Sequence, residues 1–175
     1  SRGEEICELT IGAPAHGGAC VARDESGRLV FVRHALPGER VRARIIDRQK
    51  RMAWAEALEI LEASPDRISS VWPAAGPGGV GGGELAHVSP EGQRRWKSEV
   101  LLDQLGRIGR DRVMQQVDAI GGVEVRPAPG DEESGSLLGR RTRIECVVDA
   151  EGFLGMRQYR SHKIVRLDSM PLASA

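Results

Sequence analysis

Arginines recur at every second position in Arg40-Val41-Arg42-Ala43-Arg44. Successive side chains of an extended strand point to opposite faces. The three guanidinium groups therefore share one face, and Val41, Ala43 and Ile45 share the other. Guanidinium groups in such a row suit phosphates along a nucleic-acid backbone, contacts that position a partner without reading its sequence. The plainer reading is a solvated outer face. Arg33 and His34 fall near a loop mouth, where His34 could stack on a base or cap the loop. Arg141, Arg143, Arg157, Arg160 and Lys163 make a second basic group, with at most half of them expected to touch a ligand. Of the six aromatic residues, Tyr159 between Gln158 and Arg160 is the best placed as an exposed stacking platform. Phe31, mid-strand among apolar neighbours, is expected in the core.

Other chemistries find little support. The three cysteines, Cys7, Cys20 and Cys146, make no paired framework and no metal spacing, and read as buried free thiols in a reducing, cytoplasmic setting. His16 and His87 stand apart from other candidate ligands, and His162 has no nucleophile near it in sequence, so no metal site and no catalytic residue is expected. No apolar run approaches the ~20 residues of a membrane span, and Ser1-Arg2-Gly3-Glu4-Glu5 lacks a signal-peptide layout. Lys plus Arg and Asp plus Glu each number 25, so the 175-residue chain is neutral. The charge is nonetheless uneven. Residues 21–51 hold nine basic and four acidic side chains, and residues 139–166 hold seven and three. Acid gathers at Glu4, Glu5 and Glu8 and at Asp131-Glu132-Glu133. Two basic surfaces on a neutral chain point to docking of an anion.

The elements that must position these groups are mainly β with one or two helices, an α+β chain. Cys7, Leu9 and Ile11 alternate with polar residues as a half-buried strand requires. Residues 19–23 and 29–33 follow as strands around the turn Asp24-Glu25-Ser26-Gly27, and the arginine strand follows Pro37-Gly38. Residues 53–61 have a helix-like composition, but a small barrel needs a fifth strand there. Five short strands in residues 1–63 suggest an OB-like barrel. Ser64-Pro65 marks the boundary to a small α+β unit, residues 64–175. It opens with a glycine-rich loop, 73–83, mobile unless something clamps it. Ser89-Pro90 starts a helix over about 91–108, with Leu101, Leu105 and Ile108 on one stripe. A hairpin spans about 140–159 around Asp149-Ala150-Glu151-Gly152, with a last strand over 163–167.

Several phrases together resemble the RNA (uracil-5-)-methyltransferase family. Ala15-His16-Gly17-Gly18-Ala19-Cys20 and Val30-Phe31-Val32-Arg33-His34-Ala35-Leu36-Pro37-Gly38-Glu39 resemble its TRAM domain, a small OB-like RNA-binding barrel. Gly76 to His87, Arg141-Thr142-Arg143, Ser161-His162-Lys163 and Pro171-Leu172-Ala173 resemble its central domain, in the same order. The resemblance implies an RNA-binding part of an S-adenosylmethionine-dependent class I enzyme that makes 5-methyluridine in tRNA or 23S rRNA. Its chemistry, a cysteine adding to uridine C6, resides in a C-terminal Rossmann-like domain expected to be missing here. The chain alone is expected to be inactive and not to bind S-adenosylmethionine. The helix stripe, which packs on that domain in the family, is expected to project or to self-associate.

The departures matter as much. Iron–sulfur members hold a 4Fe–4S cluster through a Cys…Cys-Gly-Gly-Cys loop and a later cysteine. Here the loop reads Val80-Gly81-Gly82-Gly83 and the later cysteine is Met170, so no iron–sulfur cluster is expected. Two other readings stay open. One is a stand-alone OB-fold RNA-binding module, the other a partner-binding fragment.

Overall fold

The computed structural model describes residues 5–131 and 135–174, so the acidic residues Glu4, Glu132 and Glu133 lie outside the described residues. Five strands build the first unit: β1 (Ile6–Thr10), β2 (Ala19–Arg23), β3 (Leu29–Arg33), β4 (Arg40–Arg48) and β5 (Met52–Glu62). They form one sheet in the order β1-β4-β5-β3-β2. All its neighbours are antiparallel except β3 and β5, which run parallel with Phe31 opposite Trp54 and Arg33 opposite Glu56. Three register shifts between β4 and β5 bend the sheet into a half-barrel. The ambiguous segment 52–62 is a strand because β4 and β3 hydrogen-bond its two edges. Two ready partners outweigh the helical leaning of an Ala-, Glu- and Leu-rich run.

The concave face is apolar. Leu9, Cys20, Val30, Val32, Val41, Ala43, Ala53, Ala55 and Ala57 are buried there. The three alanines of β5 leave space that Val88 and Trp96 fill from the second unit, so one core crosses the chain boundary. Trp96 sits on α1 (Pro90–Ala119), whose first turn is capped by Ser89 Oγ accepting from the Gly92 N–H at 3.1 Å, with Pro90 just inside. The helix runs past its expected end near residue 108. It kinks at Arg110, which adopts φ 52°, next to Gly109, where even a Cβ would sit 2.4 Å from the Val113 side chain. The expected stripe is largely uncovered: Leu101 is 43 % and Ile108 79 % exposed, and Leu105 is half-buried. Among the described residues, no helix is long and apolar enough to cross a membrane.

The second sheet pairs β6 (Val147–Val148), β7 (Leu154–Arg157) and β8 (Ile164–Arg166) in that order, all antiparallel. Asp149 Oδ1 accepts from the N–H groups of Glu151 and Phe153, which shapes the β6–β7 turn around Gly152 at φ 88°. A second apolar cluster of Trp72, Ala75 and Val80 is covered by Met156, Val165, Leu167, Met170 and Leu172.

His87 lies between the two units, 7 % exposed. Burial, with the positive charges of Arg67 and His34, lowers its pKa to about 4. The unfolded chain takes up this proton near pH ~6.5, the folded chain only near its lowered value. The contribution is therefore complete above pH ~6.5 and falls away as the pH drops through the acidic range below it, by roughly 3 kcal/mol. Urea unfolding across that range checks this, and His87→Leu should flatten the acid slope.

Candidate nucleic-acid interface

The arginine row on β4 faces outward as its alternation requires, but it is not a free basic surface. Arg40 pairs with Glu62 at 2.9 Å and Glu8 at 3.3 Å. Arg42 pairs with Glu59 and, at 3.6 Å, with Glu8. Arg48 pairs with Glu5. The carboxylates come from β1 and β5 on either side, so the convex face is a charge ladder. Exposed pairs of this kind add little stability, because solvent screens them. Their main effect here is to cancel the field that a phosphate would meet.

One level along the barrel the ladder goes inside. Glu56 is 3 % exposed and meets Arg33 Nη1 at 3.2 Å and Arg44 Nη2 at 3.3 Å, and it accepts from the Gly78 N–H at 3.0 Å. Burial alone raises the pKa of this carboxyl, but His34, whose Nε2 lies 3.8 Å away, and hydrogen bonds from Arg44 and the Gly78 amide outweigh it and hold the group below the usual carboxylate range. Arg33 is 2 % exposed, and its guanidinium lies 3.4 Å from the centre of the Tyr159 ring. His34, in the left-handed conformation at φ 62°, turns inward and is 6 % exposed. Arg33 and His34 are therefore not at a loop mouth, and Tyr159 is half-buried against Arg33 instead of being an open platform. These three join the barrel to the second unit because Glu56, 23 residues from Arg33 in sequence, is brought opposite it by the β3–β5 register.

The same contacts clamp the glycine-rich loop. Gln158 Nε2 donates to the Gly78 carbonyl at 2.8 Å, the Tyr159 N–H to the Gly79 carbonyl at 3.1 Å, and Arg141 Nη2 to the Gly82 carbonyl at 3.1 Å. The residues at the family's cluster positions do not fit an iron–sulfur group. Val80 and Met170 pack together with Trp72 in the second apolar cluster. A Cβ at Gly83 would come within 2.6 Å of Ala75 Cβ and 2.8 Å of the Trp72 ring, so a thiolate has no room there. Among the described residues, no group of three or more His, Cys, Asp or Glu side chains is placed to hold a metal ion. Cys20 is buried, with burial raising its thiol pKa strongly. Cys7 and Cys146 are only half-buried, less than their sequence context suggests.

The second basic group is different. Arg143, Arg157 and Lys163 are exposed and, among the described residues, have no carboxylate partner. Among the described residues, Arg157 meets His162 Nδ1, at 3.4 Å. Arg160 contacts Asp47 at 3.6 Å and lies 5.2 Å from the centre of the Trp54 ring, which brings the β7–β8 turn against the β4–β5 hairpin tip. At that tip Lys50 and Arg51 are also exposed and unpaired among the described residues. Sequence reasoning passed over these two because nothing local links them to residues 157–163. It also misplaced Phe31, which is half-buried on the outer face and stacked on Trp54 with ring centroids 5.0 Å apart. The run Leu29-Val30-Phe31-Val32 is apolar throughout, so its periodicity does not say which residues face in.

Residues 2–58 match the TRAM domain family. The chain is 43 % identical to an uncharacterized RNA methyltransferase of Streptomyces avermitilis, over 98 % of this chain and 40 % of that protein. It is 39 % identical to the 23S rRNA (uracil(1939)-C(5))-methyltransferase RlmD of Halomonas elongata, over 94 % of this chain and 32 % of that protein. Its fold is similar to that of the Pyrococcus abyssi tRNA (uracil-54, C5)-methyltransferase solved with S-adenosyl-L-homocysteine. The TM-score is 0.57 and the identity 21 %, over 96 % of this chain and 33 % of that one. The chain thus spans about two-fifths or less of these relatives.

Proposed function

Residues 2–58 being a TRAM domain, on a chain homologous to RNA methyltransferases, we propose that this is the RNA-binding part of an S-adenosylmethionine-dependent RNA uridine-5-methyltransferase. Its substrate is a structured RNA of the cytoplasm, tRNA or 23S rRNA. Methyl transfer and cofactor binding belong to the part of such enzymes that this chain does not span. The buried, high-pKa thiol of Cys20 supports that division, because a protonated thiol without a base beside it is no nucleophile. The exposed Leu101 and Ile108 face of α1 is then covered in the whole protein, by another part of the chain or by a second copy.

The observation that carries the RNA assignment is the contrast between the two basic groups. Arg40 and Arg42 are neutralised by carboxylates on both sides, whereas Arg143, Arg157 and Lys163 are exposed without one. Phosphate contact at these three residues displaces water and counterions only, and no ion pair must break first. We assign RNA contact to Arg143, Arg157, Arg160 and Lys163, with Arg141 also holding the glycine-rich loop. Filter binding with a tRNA transcript and a 23S rRNA fragment at low salt tests the reading. Saturable binding is expected, and its absence with both RNAs would overturn the proposal.

The same reading has no role for iron. The purified chain should be colourless, and metal analysis after anaerobic reconstitution should find no stoichiometric iron or sulfide. A bound cluster would mean that the Trp72–Val80–Met170 packing gives way to ligands.

A further inference from the structure

We propose that the outer-face pair Phe31–Trp54, framed by Arg160 and the Lys50-Arg51 hairpin tip, is a stacking site for an unpaired RNA base. The chain would then take a single-stranded loop in preference to a duplex. This rests on the reading that the chain binds RNA and adds where and what kind.

Three observations lead there. First, the pair is not needed by the core. Val30, Val32, Ala53 and Ala55 beside it point inward and are fully buried, while Phe31 and Trp54 stack on the convex face at an interplanar angle of 25° and are half-buried there. Second, three of the other four aromatic residues are engaged. Trp72 and Trp96 are 2 % and 5 % exposed, and Tyr159 lies flat against Arg33. Phe153 is 52 % exposed, but the cation over its ring, Arg166 at 4.1 Å, is itself tied to Asp149 and Glu151. Third, the cations around the pair are free or loosely held. Lys50 and Arg51 lie within four residues of Trp54 on the hairpin and have no carboxylate partner among the described residues. Arg160 is 46 % exposed and covers Trp54 at 5.2 Å, against 3.4 Å for Arg33 over Tyr159. So loose a cover lets a flat base take that face of the indole while the guanidinium turns to the adjoining phosphate.

The bland alternative is that the rings only shield the sheet and Arg160 only joins the two units. The two readings differ in what the surface binds. Every base has a π-face, so an aromatic pair among cations binds single strands with little sequence preference. A duplex keeps its bases stacked on one another and offers such a platform nothing.

Because Trp72 and Trp96 are buried, quenching of tryptophan emission by a stacked base reports on Trp54. The probes are a mixed-sequence single-stranded RNA of about twelve nucleotides, within the usual span of one OB fold, and the blunt duplex of the same length. The single strand should quench saturably and the duplex should not. By anisotropy of labelled RNA, Phe31→Leu and Trp54→Leu should each weaken single-strand binding roughly tenfold, the scale of one base–aromatic contact, and leave duplex binding alone. Lys50→Ala with Arg51→Ala, at an exposed tip where folding is not at stake, should weaken both RNAs and lower the salt slope by about 1–2. Saturable RNA binding without quenching, or without loss in the Lys50→Ala, Arg51→Ala variant, would overturn this site while leaving the RNA-binding reading intact. Failure of both RNAs to bind, together with tRNA and the 23S fragment, would remove both.

Discussion

Glu39→Ala should destabilise the chain by about 3–5 kcal/mol, the scale of removing one partner from a buried ion pair. Glu39 is fully buried just before β4. Its carboxylate accepts from the N–H groups of Leu36 at 2.8 Å and Ser64 at 3.1 Å, and from Arg67 Nε at 2.6 Å and Nη2 at 2.7 Å. Arg67 Nη2 also donates to the His34 carbonyl at 2.9 Å. Alanine leaves a mostly buried guanidinium without its counter-charge and two amides without acceptors. Against a domain stability of roughly 5–15 kcal/mol, that is a large fraction. The midpoint of thermal unfolding should fall by roughly 10 °C. The double variant Glu39→Ala, Arg67→Met should recover part of the loss, since it removes both charges together. A fall in urea-unfolding free energy below about 1 kcal/mol would mean that water reaches this site and the network is not buried in solution. Because Ser64 and Arg67 belong to the strap between the two units, the loss should appear in one transition for both.

RNA affinity should drop about a hundredfold or more between ~50 and ~200 mM salt if four or more phosphates are contacted, because each releases condensed counterions. The slope locates the contacts. Arg143→Ala, Arg157→Ala and Lys163→Ala together should reduce it by about 2–3, close to 0.7–0.9 for each phosphate lost. Removing charge-neutral pairs from the ladder, Arg40→Gln with Glu62→Gln and Arg42→Gln with Glu59→Gln, should leave both slope and affinity nearly unchanged. Each arginine goes with one carboxylate, so the net charge of the face, with Glu8 kept, is unchanged. Equal loss from the ladder pairs would restore the β4 face as the contact surface. Affinity that is flat with salt would contradict an electrostatic interface of either kind.

Much of the architecture is legible in local sequence. The alternation at Cys7, Leu9 and Ile11, the turns at Asp24–Gly27 and Asp149–Gly152, and the Ser89-Pro90 cap each appear where short-range pattern puts them. Local rules work there because the deciding interaction, a capping oxygen or a two-residue period, lies within a few residues of the position it decides. The same rules placed Arg40, Arg42 and Arg44 on one face but could not tell what faces them.

The tertiary structure decided the rest. Glu59 and Glu8 reach Arg42 across 17 and 34 residues through the registers of β5 and β1, and they turn a basic face into a neutral one. Glu56 reaches Arg33 through the β3–β5 pairing and Gly78 through the packing of the two units, and so buries Arg33 and His34 with it. Arg160 joins Lys50 and Arg51 at one edge only because the β7–β8 turn meets the β4–β5 tip. Residue type and spacing thus determined which groups this protein can offer to RNA. Strand register and domain packing decided which are cancelled, which are buried and which are left to bind, because charge pairing and burial depend on distance in space and not in sequence.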